Sequence, residues 1–339
     1  MASNDLVLVT GASGFIAKHC IAEALSRGYR VRGTLRHMGR QDEVRGAVGE
    51  RGDRLSFVEA DLTRDDGWET AVRDCRHVLH VASPYPLRQP RDREGLVPIA
   101  RDGTLRALRA AVAARCERVV VTSSMAAILY GHPTRAGRIF TEADWSNPDA
   151  PNITPYAISK TRAERAAWQF METAPGDTGL VTLNPGVVLG PTRDKNVESS
   201  GDIVALFLRG RVPFVPRLGM TIVDVRDVAA AHLNALEKPG IVGRRCILAS
   251  EGARLMDIGR VLGEAFPDRR KRMPRGELPD VFVRLAGIFD GTARGAVADL
   301  GTVPQFSNAT AREILGIQFR PAREAVIAMA ESLITLGMA

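Results

Sequence analysis

Two side chains four residues apart are equipped to move a proton: Tyr156 and Lys160, in Tyr156-Ala157-Ile158-Ser159-Lys160. Thr154 is a good helix N-cap and Pro155 suits the first helical position, so the sequence predicts a helix starting here. Residues four apart on a helix share a face, with Cβ atoms about 5–6 Å apart. A free phenol, with a pKa of about 10, is a sluggish base but a usable acid at neutral pH. A nearby ammonium favours the phenolate. At about 5 Å and an effective dielectric of about 20, the attraction is roughly 3 kcal/mol, or about two pKa units. The pair is thereby poised to give or take a proton near pH 7. Ser124, in Val121-Thr122-Ser123-Ser124, is the third candidate: its hydroxyl would bond an oxygen as charge develops there. Ser123 is the alternative. Tyr-x-x-x-Lys is common by chance, and its ordinary meaning is a tyrosine and a lysine on a helix surface. Its weight comes from what precedes it.

The elements that must hold these side chains are legible upstream. Short apolar runs at 6–10, 29–35, 55–59, 78–82, 119–122 and 180–183 alternate with helical stretches at 14–27 and 96–114. Such runs imply a parallel sheet covered on both faces, an α/β, Rossmann-type, doubly wound architecture. Directly after the first run comes Thr10-Gly11-Ala12-Ser13-Gly14-Phe15-Ile16-Ala17. Gly11 permits a tight turn, Gly14 lets the backbone approach a pyrophosphate, and Ala17 lets the helix pack closely on the strand. Gly11, Ser13, Gly14, Phe15 and Ile16 are therefore candidate contacts to a dinucleotide, whose phosphates would meet the helix N-terminus. The second strand ends not on an acid but on Arg36, with Arg40 in the same loop. Two guanidiniums there suit a 2′-phosphate, so NADP(H) is expected rather than NAD(H). Asp61 and Leu62 follow the third strand, where they would meet the adenine ring; a helix cap is the equal alternative for Asp61.

The second half is less regular. Helices are expected at 225–236, 255–266, 280–288 and 323–336, and a strand at 245–248. We read residues 1–185 as the dinucleotide-binding domain, with later segments returning to it. Residues 186–339 form mainly a smaller C-terminal substrate-binding lobe. With 45% hydrophobic and 25% charged residues, the chain is not disordered. The net charge of +7 is spread along the chain. Its one dense run, Arg269-Arg270-Lys271-Arg272, lacks interleaved aromatics and reads as a solvated loop rather than a nucleic-acid surface. The four cysteines form no C-x-x-C and the six histidines show no metal-ligand spacing, so neither a disulfide framework nor a metal is expected. No secretory signal and no membrane-spanning run is apparent, and a cytoplasmic protein without nucleic-acid or membrane partners is the expectation.

These pieces together resemble the extended short-chain dehydrogenase/reductase superfamily. Within it, the chain is similar to the dihydroflavonol reductase / cinnamoyl-CoA reductase group and its microbial aldehyde and ketone reductase relatives. The likeness runs through residues 9–16, 78–84, 122–124, 156–160, 183–191 and 223–229. It implies that Ser124, Tyr156 and Lys160 form a catalytic triad, with Lys160 also bonding the nicotinamide ribose. It implies that Arg36 holds the 2′-phosphate and that Arg40 stands where the group often has a second base. Ala82, Ser83 and Pro84 would line the cofactor, and Pro185, Gly186, Val187 and Val188 would lie against its nicotinamide end. His80 falls inside a matching segment, yet reads as a strand residue with a satisfied side chain. A monomer or homodimer is implied.

The departures narrow the substrate. The flavonoid reductases carry an asparagine five residues after the catalytic serine; here that position is Leu129, which cannot bond a flavonoid's hydroxyls. No N-W-Y-C-type segment precedes Tyr156. The expected reaction is therefore NADPH-dependent, reversible reduction of a small aldehyde or ketone. Tyr85, Met125 and Leu129 are candidate pocket residues, with parts of 200–222 and 280–290. Phe207, Phe282, Leu285 and Phe289 are either apolar walls or plain core. The rival readings are a nucleotide-sugar epimerase or dehydratase with retained NAD, a non-catalytic NADP-sensing regulator, and a dehydrogenase of steroid-like alcohols.

Overall fold

The structure is a computed structural model, and it describes residues 4–50, 52–84, 90, 92–132, 137–151, 153–196, 201–289, 297 and 299–339. Strands β1 (Leu6–Val9), β2 (Arg30–Leu35), β3 (Leu55–Glu59), β4 (His77–His80) and β5 (Arg118–Thr122) come from the first half of the chain. Two-residue β6 (Ile139–Phe140) is followed by β7 (Gly179–Pro185), β8 (Val187–Leu189), β9 (Phe214–Pro216) and β10 (Gly219–Asp224). Last come β11 (Arg244–Leu248), β12 (Glu251–Arg254), β13 (Gly276–Leu278) and β14 (Gln305–Phe306). Seven of these make one sheet in the order β3-β2-β1-β4-β5-β7-β11, parallel throughout. The strand order reverses between β1 and β4, and ligands of such sheets bind at that point, beyond the carboxyl ends of the strands.

Both faces are covered, as the apolar strands require. The helices are α1 (Phe15–Ser26), α2 (Gln41–Val48), α3 (Trp68–Val72), α4 (Val97–Ala113), α5 (Ala126–Leu129) and α6 (Pro155–Thr173). The second half adds α7 (Asp202–Leu208), α8 (Val225–Glu237), α9 (Leu255–Ala265), α10 (Asp280–Phe289), α11 (Ala309–Glu313) and α12 (Ala322–Thr335). Val7 and Val9 of β1 pack on the side of α1 and α8, and Leu6 and Leu8 on the side of α4 and α6. That alternation is the period-2 pattern of a strand buried on both faces. The sheet is thus a Rossmann-type sheet, as the sequence predicts.

The chain leaves this sheet after β7 and returns to it as β11. Between and beyond these strands it builds a three-stranded sheet in which β10 pairs parallel with β8 and antiparallel with β12. Gly186 alone separates β7 from β8. A Cβ at that position would lie 2.4 Å from the Thr221 carbonyl oxygen, so only glycine lets β8 turn onto β10. The matching segments 183–191 and 223–229 are therefore brought side by side: Asp224, fully buried, caps α8 by accepting from the Arg226 amide and pairs with its guanidinium at 2.7 Å. No described helix is long and apolar enough to cross a membrane. The four cysteines are buried free thiols.

Candidate active site

The glycine turn lies at the carboxyl end of β1. Gly11 has φ +66°, a backbone conformation that costs a side-chain-bearing residue about 1–2 kcal/mol. A Cβ there would also come within 3.0 Å of Ala82. Two threonines pin the turn. Thr34 accepts from the Gly11 amide at 2.9 Å, and buried Thr10 accepts from the Ala82 amide at 3.0 Å. Gly14 is the extended N-cap of α1 and no side chain caps the helix, so its positive end is left for an anion. Asn196 donates to the Ser13 carbonyl at 2.8 Å. Buried Lys18 on α1 meets Asp194 at 2.5 Å, which ties residues 194–196 to the turn. Sequence reasoning missed this clamp; its one local signal is a lysine in the mostly apolar first turns of α1.

Arg40 reaches the same turn, donating to Ser13 Oγ at 3.2 Å, while Glu43 holds its guanidinium at 2.7 Å. Arg36, at the end of β2, is exposed. Asp61 accepts from the amide and hydroxyl of Thr63 at 2.7 and 2.6 Å. Those bonds, with a smaller contribution from the Arg36 charge, hold its carboxyl below the usual range. Asp61 is thus the cap of its own turn. Leu62 packs against α4, where a Cβ on Gly103 would touch it at 2.8 Å.

The end of β5 distinguishes its two serines. Ser123 donates its hydroxyl to the buried carboxylate of Glu164. The Ser124 hydroxyl accepts from the Ala126 amide at 3.1 Å, and its proton remains to be donated. Asn184 on β7 donates to the Ser124 carbonyl at 3.2 Å and to Glu164 at 2.7 Å. Glu164 also accepts from Thr182 at 3.0 Å and from Arg245 of β11 at 2.6 Å. It lies two turns beyond Tyr156 on the face that carries Lys160, and sequence reasoning did not single it out. Its local signal is the spacing Tyr156-x-x-x-Lys160-x-x-x-Glu164.

Helix α6 starts where the sequence says. Thr154 accepts from the Ala157 amide at 3.2 Å and Pro155 is the first residue, a cap of the kind that contributes about 1 kcal/mol. Tyr156 is half-buried and packs beside Val97, Ala126 and Ile153. The Lys160 ammonium lies 5.9 Å from the Tyr156 ring centre and donates to the Thr122 carbonyl at 3.1 Å. Fully buried His232 bonds Thr122 Oγ1 at 2.7 Å and the Val228 carbonyl at 2.7 Å, and burial pushes its pKa down to about 4.

The other expected residues fall into three groups. Pro185, Gly186, Val187 and Val188 run from β7 into β8; Pro185 accepts from the Met125 amide at 3.0 Å, and Met125 packs by Gly186. Ala82, Ser83 and Pro84 follow β4 and are half-buried. Leu129 is 2% exposed, in an apolar cluster with Phe140 and Ile247, so its side chain is spent on packing. Tyr85 lies outside the described residues, as does the side chain of Phe289. Phe207 is core, but Phe282 and Leu285 are 58% and 52% exposed on α10, which removes the core reading for that pair.

The NAD dependent epimerase/dehydratase family model matches residues 7–245. Over 272 residues the chain is 34% identical to cinnamoyl-CoA reductase CAD2 of Medicago truncatula, covering 78% of this chain and 81% of that one. It is 30% identical to the NADPH-dependent methylglyoxal reductase GRE2 of Saccharomyces cerevisiae, over 94% of this chain and 95% of the other. The solved structure of yeast methylglyoxal/isovaleraldehyde reductase Gre2 complexed with NADPH superposes with a TM-score of 0.82. It has 27% identity and covers 98% of this chain and 100% of that one.

Proposed function

The chain belongs to the NAD dependent epimerase/dehydratase family of extended short-chain dehydrogenases/reductases, and from that premise we propose that it reduces a small aldehyde or ketone with NADPH, reversibly. What supports the reading is the Lys160 ammonium 5.9 Å from the Tyr156 ring and bonded to the Thr122 carbonyl at the end of β5, with Ser124 two residues further on, in a sheet whose β1 leads into an uncapped helix N-terminus.

The residues present fit a dinucleotide. The Gly11 backbone and the amides opening α1 suit its pyrophosphate, and Arg36 with Arg40 suits a 2′-phosphate. Ala82, Ser83, Pro84 and Pro185 to Val188 would border its nicotinamide end. When bound, NADPH supplies the hydride. Ser124 and Tyr156 hydrogen-bond the carbonyl oxygen, and Tyr156 hands its proton to that oxygen as it becomes an alcohol. Lys160 stabilises the resulting phenolate and would hold the nicotinamide ribose. Met125, whose sulfur packs by Gly186, would meet the substrate's apolar part. Four buried free thiols suit a reducing, cytoplasmic setting, as a monomer or homodimer.

An NADPH-consumption screen over aldehydes, diketones, ketoesters and aryl ketones tests this reading. Turnover of at least one class is expected. Turnover of none, or purified protein that retains NAD and converts nucleotide sugars, overturns it in favour of a regulator or an epimerase.

A further inference from the structure

Beneath the reactive face of α6 lies a small cavity walled by His80, Thr104, Thr122, Ser123, Lys160 and Glu164. It has about 10 Å³ of open volume, which is room for one water. One wall residue carries an unsatisfied group. His80 is 1% exposed, and its Nε2 has no hydrogen-bond partner among the described residues. Buried polar atoms in that condition are rare and call for an occupant.

The neighbouring bonds bear on which ring nitrogen carries the hydrogen. Thr10 Oγ1 accepts from the Ala82 amide and lies 3.0 Å from His80 Nδ1. One lone pair of the Thr10 oxygen is taken by Ala82; with the Thr10 hydroxyl hydrogen donated to Nδ1, the ring hydrogen sits on Nε2. Trp68 packs edge-on at 6.4 Å against the same ring. The ring is neutral: burial, and then the Lys160 charge, push its pKa down to about 3. Across the cavity, the Lys160 ammonium, which has three N–H groups, donates to the Thr122 carbonyl at 3.1 Å. The Thr104 hydroxyl donates to the Ala100 carbonyl at 2.8 Å and the Ser123 hydroxyl donates to Glu164, so both oxygens keep lone pairs. The wall therefore offers donors in His80 and Lys160 and acceptors in Thr104 and Ser123, with the Ser83 hydroxyl beside them. A single water molecule, which takes two hydrogen bonds and gives two, can use such a set.

We propose that this cavity is a built one-water site linking His80 to Lys160, and that His80 is a positioning residue for the lysine. Its titratable neighbours in the cavity are Lys160 and Glu164 of α6; α4 contributes none there. The water site stands on geometry alone, while its consequence for turnover rests on the reductase reading.

The test is a crystal structure of the full chain with NADP⁺, at a resolution that shows waters, together with two variants. An ordered water about 2.7–3.2 Å from His80 Nε2 and Lys160 Nζ is expected. A dry cavity, or one filled by the cofactor itself, overturns the site whether or not any carbonyl is turned over. His80→Leu should lower kcat for carbonyl reduction about tenfold to hundredfold with KM for NADPH unchanged. It should also move the alkaline limb of kcat to higher pH, since a loosened ammonium supports the phenolate less well. His80→Gln, which returns an N–H to the cavity, should recover most of the rate. A Leu variant with an unmoved pH limb, or a Gln variant no better than Leu, overturns the positioning role. If every carbonyl is refused by the wild type, the reductase reading falls and the water's presence or absence still decides the site.

Discussion

The Arg245 guanidinium meets the Glu164 carboxylate at 2.6 Å in a place water barely enters, their side chains being 9% and 0% exposed. Arg245 also lies flat over Trp145 at 3.6 Å and donates to the Glu142 and Asp144 carbonyls, each at 2.6 Å. The pair joins β11, at the sheet's edge, to the helix that carries Tyr156. Breaking a buried pair by removing one partner leaves the other charge unmatched, at a cost of about 3–5 kcal/mol. Glu164→Ala should therefore lower stability by about that much in chemical denaturation, whereas Glu164→Gln, whose single oxygen keeps an acceptor for Ser123 and Asn184, should cost less. Equal losses for the two variants would show that the hydrogen bonds around the carboxylate contribute nothing.

Tyr156→Phe removes the proton donor and little else. NADPH affinity, followed by fluorescence titration, should be unchanged within a factor of about two, while kcat falls about 10²–10⁴-fold. Near-normal turnover in that variant would remove Tyr156 from the chemistry.

Arg36 and Arg40 are not equivalent in this structure. Arg40 is engaged by Glu43 and Ser13, whereas Arg36 is exposed at the strand end. Arg36→Ala should raise KM for NADPH about tenfold, the equivalent of roughly 1.4 kcal/mol, and leave KM for NADH unchanged. A parallel rise for both cofactors would mean that Arg36 reads no phosphate.

Gly11→Ala forces a methyl group into contact with Ala82 at a positive φ. Dinucleotide affinity should fall by about tenfold, with a smaller loss of thermal stability. Wild-type affinity would show that the turn does not approach a ligand closely.

Two fully buried histidines make the fold acid-sensitive. The pKa of His232 is lowered to about 4 and that of His80 to about 3, both chiefly by burial. Unfolded, each titrates at about 6.5, so between there and the folded values the unfolded chain binds more protons. Stability is then fully present above about pH 6.5 and declines as pH falls toward 4, by roughly 1.4 kcal/mol per pH unit per histidine at most. Urea midpoints at pH 7 and pH 5 check this; His232→Gln should flatten the difference.

What the sequence revealed was local. Strand Leu55–Glu59 and the start of α6 at Pro155 match expectation because apolar runs, Thr154 and Pro155 act within a few residues. The Tyr156–Lys160 relation was legible for the same reason. The Glu164–Arg245 and Lys18–Asp194 pairs were not: their partners are 81 and 176 residues apart, and only the strand order brings them together. Helix α2 escaped notice because Val44 is its one buried residue, too little for a periodic signal. The unpaired nitrogen of His80 was hidden because a cavity is made by packing between elements, not by any segment. Asp61 was evenly balanced in the sequence between an adenine contact and a helix cap; it accepts from Thr63 in a turn ahead of Trp68–Val72, whose N-cap is Gly67, so it caps no helix.

A single glycine, Gly186, stands between the strand that backs the reactive groups and the strand that opens the smaller sheet. Substitutions in strand 219–224, which pairs with Val187–Leu189, therefore reach the site through that short stretch and one glycine. An engineer seeking a different carbonyl should begin on that strand, where selectivity can drift while the proton-transfer apparatus is inherited intact.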